Sequence, residues 1–267
     1  MALMETHYYS SSLGSNITLN VFVPTSGSSE QITQMGHSAK YDYENGLPVL
    51  YLLHGAYGDA FSWVRYSNID RYAQDRGIVV VMASAENSFY QDLRSGKKYK
   101  TFFTEELPLF IRNVFPVSRE REKTFIAGFS MGGYGAWYLA LSRLELYAKA
   151  ASMSGALDIA GLYQAAAAGN NDNNPFHWED CFGDPDKLAG SDYDLFTLYD
   201  RDVKNGCVPK LYQAVGRDDF LYPSNVYVRK LLEQKQADLT YEEDKGGHDW
   251  NFWDQYIQHI LDWMLHD

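Results

Sequence analysis

A serine with a glycine two residues away on each side lies where a strand pattern changes to a helix pattern. The apolar run at residues 124–129 has β character, and a helical pattern rich in small residues begins at Gly132. The segment Gly128-x-Ser130-x-Gly132 has the spacing of a nucleophile elbow, a sharp turn that strains the central backbone and exposes the serine hydroxyl. A Cβ at either glycine would collide with the neighbouring strand or with the turn. Ordinary turns have the same composition, because glycine and serine are common in them.

A histidine and a carboxylate are needed if this serine is to act as a nucleophile. A serine hydroxyl is weakly nucleophilic at neutral pH, so a histidine must remove its proton and a carboxylate must orient the imidazolium that results. We predict that His248, which follows a Gly-Gly pair just before the last helical pattern, is the base. His54 competes for that role, although its place before a glycine at a strand end favours a backbone function. Asp218 and Asp219 both follow the strand predicted at 210–215, and the pattern alone leaves the choice of acid open.

Two backbone N–H groups must stabilise the oxyanion that forms when a serine attacks an ester carbonyl. One should belong to Met131, directly after the candidate nucleophile. The other should lie in the loop after the apolar strand at 49–53, where we predict Ala56, with Gly55 as the alternative. This chemistry is complete without a metal or an organic cofactor, so we expect neither.

Alternating strand and helix patterns indicate how the candidate residues are brought together. The alternation predicts an α/β fold with a mostly parallel central sheet and helices on both faces. Ligands of such sheets bind beyond the carboxyl ends of the strands, where the candidates fall. The predicted strands are 16–23, 47–53, 77–83, 124–129, 149–154, 210–215 and 239–243, and the predicted helices are 68–76, 99–114 with a kink or early end at Pro108, 132–145, 224–235 and 249–266.

The pattern weakens between residues 155 and 205, where we predict a cap-like insertion over one end of the sheet. Its aromatic residues could line a substrate pocket or simply attach the insertion to the domain. The residues predicted to line the pocket are His54, Tyr57, Phe176, Trp178 and Trp250. A polar stretch at 25–45 indicates an exposed loop. No linker or repeat divides the chain, so a single domain covering 1–267 is expected.

Composition and charge restrict the class of partner and compartment. The 267 residues carry a formal net charge of −12, which argues against binding to nucleic acid or to an anionic membrane surface. The amino terminus lacks a basic region followed by an apolar one, and no apolar run could span a bilayer, which predicts a cytoplasmic protein. Cys181 and Cys207 are predicted to be free thiols. Exposed aromatic residues are compatible with a substrate wall or with an interface in a homo-oligomer.

Four segments resemble those of the esterase D family, and within it the bacterial tributyrin-type (acetyl) esterases. The segments are Leu52-Leu53-His54-Gly55, Gly128-Phe129-Ser130-Met131-Gly132-Gly133-Tyr134-Gly135-Ala136, Gly216-x-x-Asp219-Phe220-Leu221 and Gly246-Gly247-His248-x-Trp250-x-Phe252-Trp253, and the opening Tyr8-Tyr9-Ser10 is also similar. The likeness covers nearly the whole chain and is weakest at 25–45 and 155–205.

The resemblance implies an α/β-hydrolase fold with Ser130, Asp219 and His248 as the catalytic triad. The aspartate of the family stands third after the glycine, which favours Asp219 over its neighbour. The second oxyanion donor of the family follows the His-Gly pair, which favours Ala56.

The resemblance implies a serine carboxylesterase acting on a small acyl ester, with short acyl chains such as acetyl and butyryl, as in tributyrin, preferred. A feruloyl or acetylxylan esterase is the alternative, with insertion aromatics holding a phenolic or sugar group. Relatives acting on S-formylglutathione carry a cysteine soon after the strand preceding the oxyanion loop, whereas this chain has Ala56-Tyr57-Gly58, which disfavours that substrate. A non-catalytic binding protein on the same fold is an alternative of another class, and the filled triad positions argue against it.

Overall fold

Eight strands form one sheet in the described part of the chain, which in this computed structural model comprises residues 1–25, 41–169, 176–203 and 208–266. The strands are β1 (Ala2–Ser10), β2 (Ser15–Val23), β3 (Val49–Leu53), β4 (Val79–Ala83), β5 (Thr124–Phe129), β6 (Lys149–Met153), β7 (Lys210–Gly216) and β8 (Leu239–Asp244). Their order is β1-β2-β4-β3-β5-β6-β7-β8. The pairs β1–β2 and β2–β4 are antiparallel, and every other pair of neighbouring strands is parallel. The predicted mostly parallel sheet is confirmed.

Ten α-helices surround the sheet within the same described ranges. They are α1 (Ser62–Tyr66), α2 (Ile69–Arg76), α3 (Tyr99–Thr101), α4 (Leu107–Val114), α5 (Met131–Ser142), α6 (Ile159–Ala168), α7 (Trp178–Phe182), α8 (Leu195–Val203), α9 (Tyr222–Gln234) and α10 (Trp250–Leu265). A π-helical turn at Phe102–Glu106 joins α3 to α4, and 3₁₀ turns occupy Arg121–Lys123 and Pro185–Lys187. None of the helices described combines the length and the apolar character that a membrane crossing requires.

Both faces of the parallel sheet are covered, because successive side chains of a strand point to opposite faces. In β3, Val49, Tyr51 and Leu53 belong to one buried cluster, which also contains the inward side of α5. Leu50 and Leu52 belong to the other cluster, together with buried residues of α2 and α10. The near-continuous apolar run of β3 follows from this two-sided burial.

The predicted helix at 99–114 continues through Pro108, where a kink or an early end was expected. The π-helical turn Phe102–Glu106 directly precedes α4, and Pro108 is the second residue of α4. Glu106 accepts hydrogen bonds from the Ser10 hydroxyl at 3.0 Å and the Ser12 N–H at 2.9 Å. Glu106, the last residue of the π-helical turn, therefore anchors the turn between β1 and β2.

Strand β1 and helix α1 have no counterpart among the predicted elements. Strand β1 pairs with β2 over its whole length, from Ala2 opposite Val23 to Ser10 opposite Ser15. It is an edge strand with several exposed residues, so its sequence lacks the alternation of a half-buried strand. Pairing with β2, not a hydrophobic pattern, specifies this strand.

The insertion predicted between β6 and β7 is present and largely helical, with α6, α7 and α8 in its described parts. Residues 170–175 of the insertion lie outside the described residues, as do 26–40 of the predicted polar loop. Cys181 on α7 is a buried free thiol, whereas Cys207 lies in the undescribed stretch 204–207.

The turn from β5 to α5 packs so closely against its surroundings that its two flanking glycines have no room for a side chain. A Cβ on Gly132 would lie 2.5 Å from the carbonyl oxygen of His54, and one on Gly128 would overlap the carbonyl oxygen of Gly132. Backbone atoms in a close-packed interior cannot move aside as the end of a flexible side chain can. The steric reason for the glycine spacing is therefore the one predicted from the sequence.

Alanine at Gly132 should lower the free energy of unfolding by about 1–3 kcal/mol, because the methyl group must push β3 and the turn apart. Urea denaturation followed by circular dichroism measures the change. Gly169→Ala is the control, because a Cβ there meets its nearest atom at 3.5 Å. Equal stabilities of the two variants would contradict this account of the turn.

Candidate active site

Ser130 stands in a backbone conformation that non-glycine residues rarely adopt. Its φ is 54° and its ψ is −121°. Its N–H donates to the Met153 carbonyl at 2.9 Å, and its carbonyl accepts from the N–H groups of Gly133 at 3.0 Å and Ala156 at 3.2 Å. These bonds to β6 and α5 hold a conformation that would otherwise cost about 1–3 kcal/mol. The side chain is thereby placed at the carboxyl end of β5, in front of α5.

His248, in the loop between β8 and α10, connects Ser130 to Asp219. Its Nε2 lies 3.0 Å from the Ser130 Oγ, and its Nδ1 lies 2.9 Å from one carboxylate oxygen of Asp219 and 3.1 Å from the other. An ionised carboxylate can only accept, so the Nδ1 carries the proton and donates it. The Nε2 is therefore free to accept the proton of the serine hydroxyl.

Asp219 is buried at the end of β7, whereas its neighbour Asp218 is exposed. Burial raises the pKa of Asp219. Hydrogen bonds from His248 and from the Leu221 N–H, the latter at 2.8 Å, lower the pKa by more than burial raises it, so it lies below its ordinary value. Asp218 contributes only its N–H, which donates to the Gly246 carbonyl at 2.9 Å and ties the β7 and β8 loops together. The structure thus brings Asp219, not Asp218, to the histidine.

His54 is not in the pocket, which corrects both its assignment to the pocket lining and its candidacy as base. It is buried, with 1% of its surface exposed. Its Nε2 accepts the Ala85 N–H at 2.8 Å, so its Nδ1 carries the proton and donates to the Gly55 carbonyl at 2.6 Å. Burial lowers the pKa of His54 to about 4, so the ring is neutral at neutral pH. Both ring nitrogens are used to fix the loop after β3.

The three predicted oxyanion residues lie next to Ser130. Met131 is the first residue of α5, and Ala56 lines the same cavity as the serine. In the described part of the chain, neither of their N–H groups has a hydrogen-bond acceptor. Gly55 is packed against the elbow, because a Cβ on it would overlap the Phe129 ring and lie 3.2 Å from the Ser130 Cβ. Gly55 therefore permits the close approach of this loop to the serine.

The Ser130 hydroxyl opens into a cavity of about 550 Å³ with a largely aromatic wall. Phe220 contacts the His248 ring with 4.6 Å between centroids, and Tyr57 contacts Phe176 of the insertion at 5.6 Å. Of the predicted lining residues, the structure brings Tyr57, Phe176 and Trp250 to the cavity. The full lining is Ala56, Tyr57, Gly58, Ser62, Arg65, Tyr66, Phe129, Ser130, Phe176, Phe220, His248, Asp249, Trp250 and Trp253.

Trp178 does not line this cavity, contrary to the prediction. Its indole stacks on Phe89 at 4.8 Å and on Tyr163 at 5.2 Å, within an aromatic cluster beneath the insertion. It attaches the insertion to the domain, which was the alternative reading of the insertion aromatics. Arg65 and Tyr66 of the pocket wall were not predicted, because the five-residue α1 that carries them is too short to show a helical period.

Comparison with known proteins identifies the family. The Esterase family model matches residues 10–264. The chain belongs to the Esterase family. An acetyl esterase from Caldicellulosiruptor saccharolyticus is 37% identical over 272 residues, covering 99% of this chain and 98% of that protein.

Solved structures of related esterases and hydrolases agree with this assignment. The Staphylococcus aureus fluorophosphonate-binding serine hydrolase FphF, solved with substrate bound, has a TM-score of 0.85 at 30% identity and covers 100% of this chain and 99% of its own. The S-formylglutathione hydrolase FrmB from the same organism has a TM-score of 0.83 at 29% identity, covering 99% of both chains. The α/β-hydrolase fold and the resemblance to the esterase D family are confirmed, and this Esterase family member is a carboxylic ester hydrolase.

The buried, neutral His54 should make the folded protein sensitive to mild acid. The unfolded chain takes up a proton at this ring below about pH 6.5, whereas the folded chain does so only near pH 4. The free energy of unfolding should therefore fall as the pH drops through this window, by about 3 kcal/mol from this ring.

Urea unfolding at pH 7 and at pH 4.5 measures the effect, and His54→Gln is the comparison. The variant lacks the titrating ring, so its stability should differ less between the two pH values than that of the wild type. The same pH dependence in both proteins would show that His54 titrates normally.

Proposed function

We propose that this esterase hydrolyses short-chain acyl esters through a Ser130–His248–Asp219 triad and a covalent acyl-enzyme. The observation that carries the proposal is the continuous chain of hydrogen bonds from the serine hydroxyl through the imidazole to the buried carboxylate. A serine in a strained strand-to-helix turn at the mouth of a cavity supports the same conclusion.

The first half-reaction acylates the serine. The Ser130 Oγ attacks the ester carbonyl carbon as its proton passes to the His248 Nε2, and Asp219 stabilises the imidazolium that forms. The carbonyl oxygen becomes an oxyanion, which we assign to the N–H groups of Met131 and Ala56. The tetrahedral intermediate collapses when the imidazolium gives its proton to the leaving alcohol, and the acyl group stays on the serine.

The second half-reaction releases the acid. His248 takes a proton from a water molecule, which attacks the acyl carbonyl, and the same two N–H groups stabilise the second oxyanion. Collapse returns the proton from the imidazolium to the Ser130 Oγ and frees the carboxylic acid. The histidine passes on each proton that it takes within the same half-reaction, first to the leaving alcohol and then to the serine, so the residues described here suffice for the cycle.

Two features support a small ester as the substrate, and the first of them favours a short acyl group. The acetyl esterase relative is 37% identical along almost the entire chain. The cavity of about 550 Å³ must hold both the acyl group and part of the alcohol, and it lies within the usual range for small-molecule sites.

A feruloyl ester is the second candidate, because of the aromatic wall. Tyr57 and Phe220 are 70% and 72% exposed, so their rings are available to stack on a phenolic group. Phe176 from the insertion lies against Tyr57 and extends this wall.

Removal of the nucleophile should abolish turnover. We expect Ser130→Ala to lower kcat on p-nitrophenyl acetate by about 10⁴-fold or more, and Asp219→Asn to lower it by about 10⁴-fold because the imidazole loses its orienting acceptor. A fluorophosphonate probe should add one adduct mass to the wild type and none to Ser130→Ala.

Asp218→Asn is the matched control, since it makes the same change at the adjacent exposed carboxylate, and it should keep kcat within about twofold. Circular dichroism confirms that each variant is folded. Wild-type turnover by Ser130→Ala would rule out the proposed nucleophile.

The acyl preference can be measured as kcat/KM on p-nitrophenyl acetate, butyrate and octanoate and on methyl ferulate. We expect acetate and butyrate to be the best substrates, with octanoate lower by about tenfold or more, by likeness to the acetyl esterase relative. Phe176→Ala should raise KM for methyl ferulate more than for the acetate, since it removes wall area that only the larger group uses. A strong preference for ferulate would favour the second candidate.

A further inference from the structure

The segment that follows β4, residues 84–90, contains several strained backbone positions. Glu86, Phe89 and Tyr90 have φ values of 50°, 49° and 60°, although none of them is glycine. Such conformations cost about 1–3 kcal/mol each and persist only where the surroundings hold them. Strand β4 lies parallel to β3, so the carboxyl ends of the two strands are at the same edge of the sheet. The strained segment is therefore the neighbour of the loop after β3, which carries the proposed oxyanion donor Ala56.

Three hydrogen bonds from this segment fix the two ends of the loop after β3. At the first end, the Ala85 N–H donates to the His54 Nε2 at 2.8 Å. The Tyr90 hydroxyl donates to the backbone carbonyl of the same histidine, also at 2.8 Å. At the other end, the Ala60 N–H donates to the Ser84 hydroxyl oxygen at 2.9 Å. Residues between these ends can therefore move only by changing the conformation of the loop itself.

The middle of the loop is held by the side chain of Asn87. Its Oδ1 accepts the backbone N–H of Tyr57 at 2.8 Å. Only the oxygen of an amide side chain can accept a hydrogen bond, so the orientation of the Asn87 amide is determined. Asn87 is not among the described residues that line the cavity. Its contact is therefore with the backbone of the loop and not with the substrate.

Tyr57 is the third residue of a tight turn over residues 55–58. The Gly58 N–H donates to the Gly55 carbonyl at 3.1 Å, and the φ of Tyr57 is 61°, whereas that of Ala56 is not positive. A positive φ at the third residue alone is typical of a type II turn, which favours glycine at that position. A tyrosine favours instead the type I turn, in which the peptide group between Ala56 and Tyr57 is turned over. The hydrogen bond to the Tyr57 N–H opposes that change.

We propose that Asn87 is a positioning residue, which holds the turn after β3 in its type II form and so keeps the Ala56 N–H directed at the oxyanion. The inference rests on the proposed acyl-transfer mechanism. Because the hydrogen bonds of His54 and Ala60 fix the ends of the loop, a rotated peptide group must be accommodated at Ala56 and Tyr57 between them. The N–H of Ala56 is then displaced, and a hydrogen bond to an oxyanion weakens as its distance and angle depart from the best values.

Removal of the Asn87 side-chain amide should slow the chemical step. We expect Asn87→Ala to lower kcat on p-nitrophenyl acetate by about tenfold while KM changes by less than about threefold, because an oxyanion donor acts mainly in the transition state. Glu86→Ala is the matched control, since it truncates the adjacent residue of the same segment. Glu86 is exposed and paired with Lys97, so its loss should keep kcat within about twofold.

An inhibitor that forms an oxyanion on the serine separates positioning from a loss of folded enzyme. The Ser130 Oγ adds to the carbonyl carbon of a trifluoromethyl ketone as its proton passes to His248, and the carbonyl oxygen becomes the charged oxygen of a hemiketal. That oxygen needs the same N–H groups as the transition state. The inhibition constant should therefore rise by about tenfold in Asn87→Ala, in parallel with the loss of kcat. A smaller fraction of active enzyme would lower kcat and leave the inhibition constant unchanged.

A double-mutant cycle tests whether Asn87 acts through the turn. Glycine adopts a positive φ without strain, so Tyr57→Gly should favour the type II turn without help from Asn87. Tyr57 also lines the cavity, so the effect of Asn87→Ala is measured as the ratio of kcat values within each background. We expect this ratio to be less than about threefold in the Tyr57→Gly background, against about tenfold in the wild type.

Wild-type kcat in Asn87→Ala would overturn the inference, as would a lower kcat with an unchanged inhibition constant or an equal loss in Glu86→Ala. Equal losses in the two backgrounds of the cycle would also overturn it, because Asn87 would then not act through the conformation of residue 57. Failure of the triad itself would be seen separately, as turnover by Ser130→Ala or no fluorophosphonate adduct on the wild type.

Discussion

The backbone conformation of Ser130 is the constraint on which the rest of the site depends. A positive φ at a residue with a side chain is unfavourable, and here it is held by hydrogen bonds to the segment after β6 and to the first turn of α5. The turn fits only because glycines at 128 and 132 allow it to lie directly against β3. The positions of β3, β5 and β6 are therefore all linked to the placement of one hydroxyl group.

The parallel order of the strands brings the remaining groups to the same edge of the sheet. Asp219 follows β7 and His248 follows β8, and these strands lie two and three places from β5. Strand β6 lies between β5 and β7, so this part of the chain is bonded to residues on both sides. The Met153 carbonyl accepts the Ser130 N–H at 2.9 Å, and the Ser154 N–H donates to the Ala214 carbonyl of β7 at 2.8 Å.

Much of this arrangement could be predicted from the sequence, because each triad candidate directly follows an apolar run or a Gly-Gly break. The choice of Asp219 needed a family resemblance, since both aspartates follow the strand, and only the structure shows that one faces inward and the other faces solvent. The burial of His54 could not be predicted, because it depends on a bond to Ala85 from a distant loop. Strand β1 and helix α1 were not predicted either. Strand β1 is specified by its pairing with β2, and helix α1 is too short to show a helical period.

Part of the cavity wall comes from regions of the chain that do not carry the reacting groups, although they meet at one point. Tyr57 and Tyr66 come from the region after β3, and Phe176 comes from the insertion, whereas the elbow is fixed by the close packing of the sheet. Trp178 attaches the insertion to the domain without touching the cavity. Residues at the tips of the wall can therefore be exchanged without disturbing the turn that holds the serine. Such a division allows one hydrolytic centre to acquire new substrates in evolution through changes at the tips of its wall.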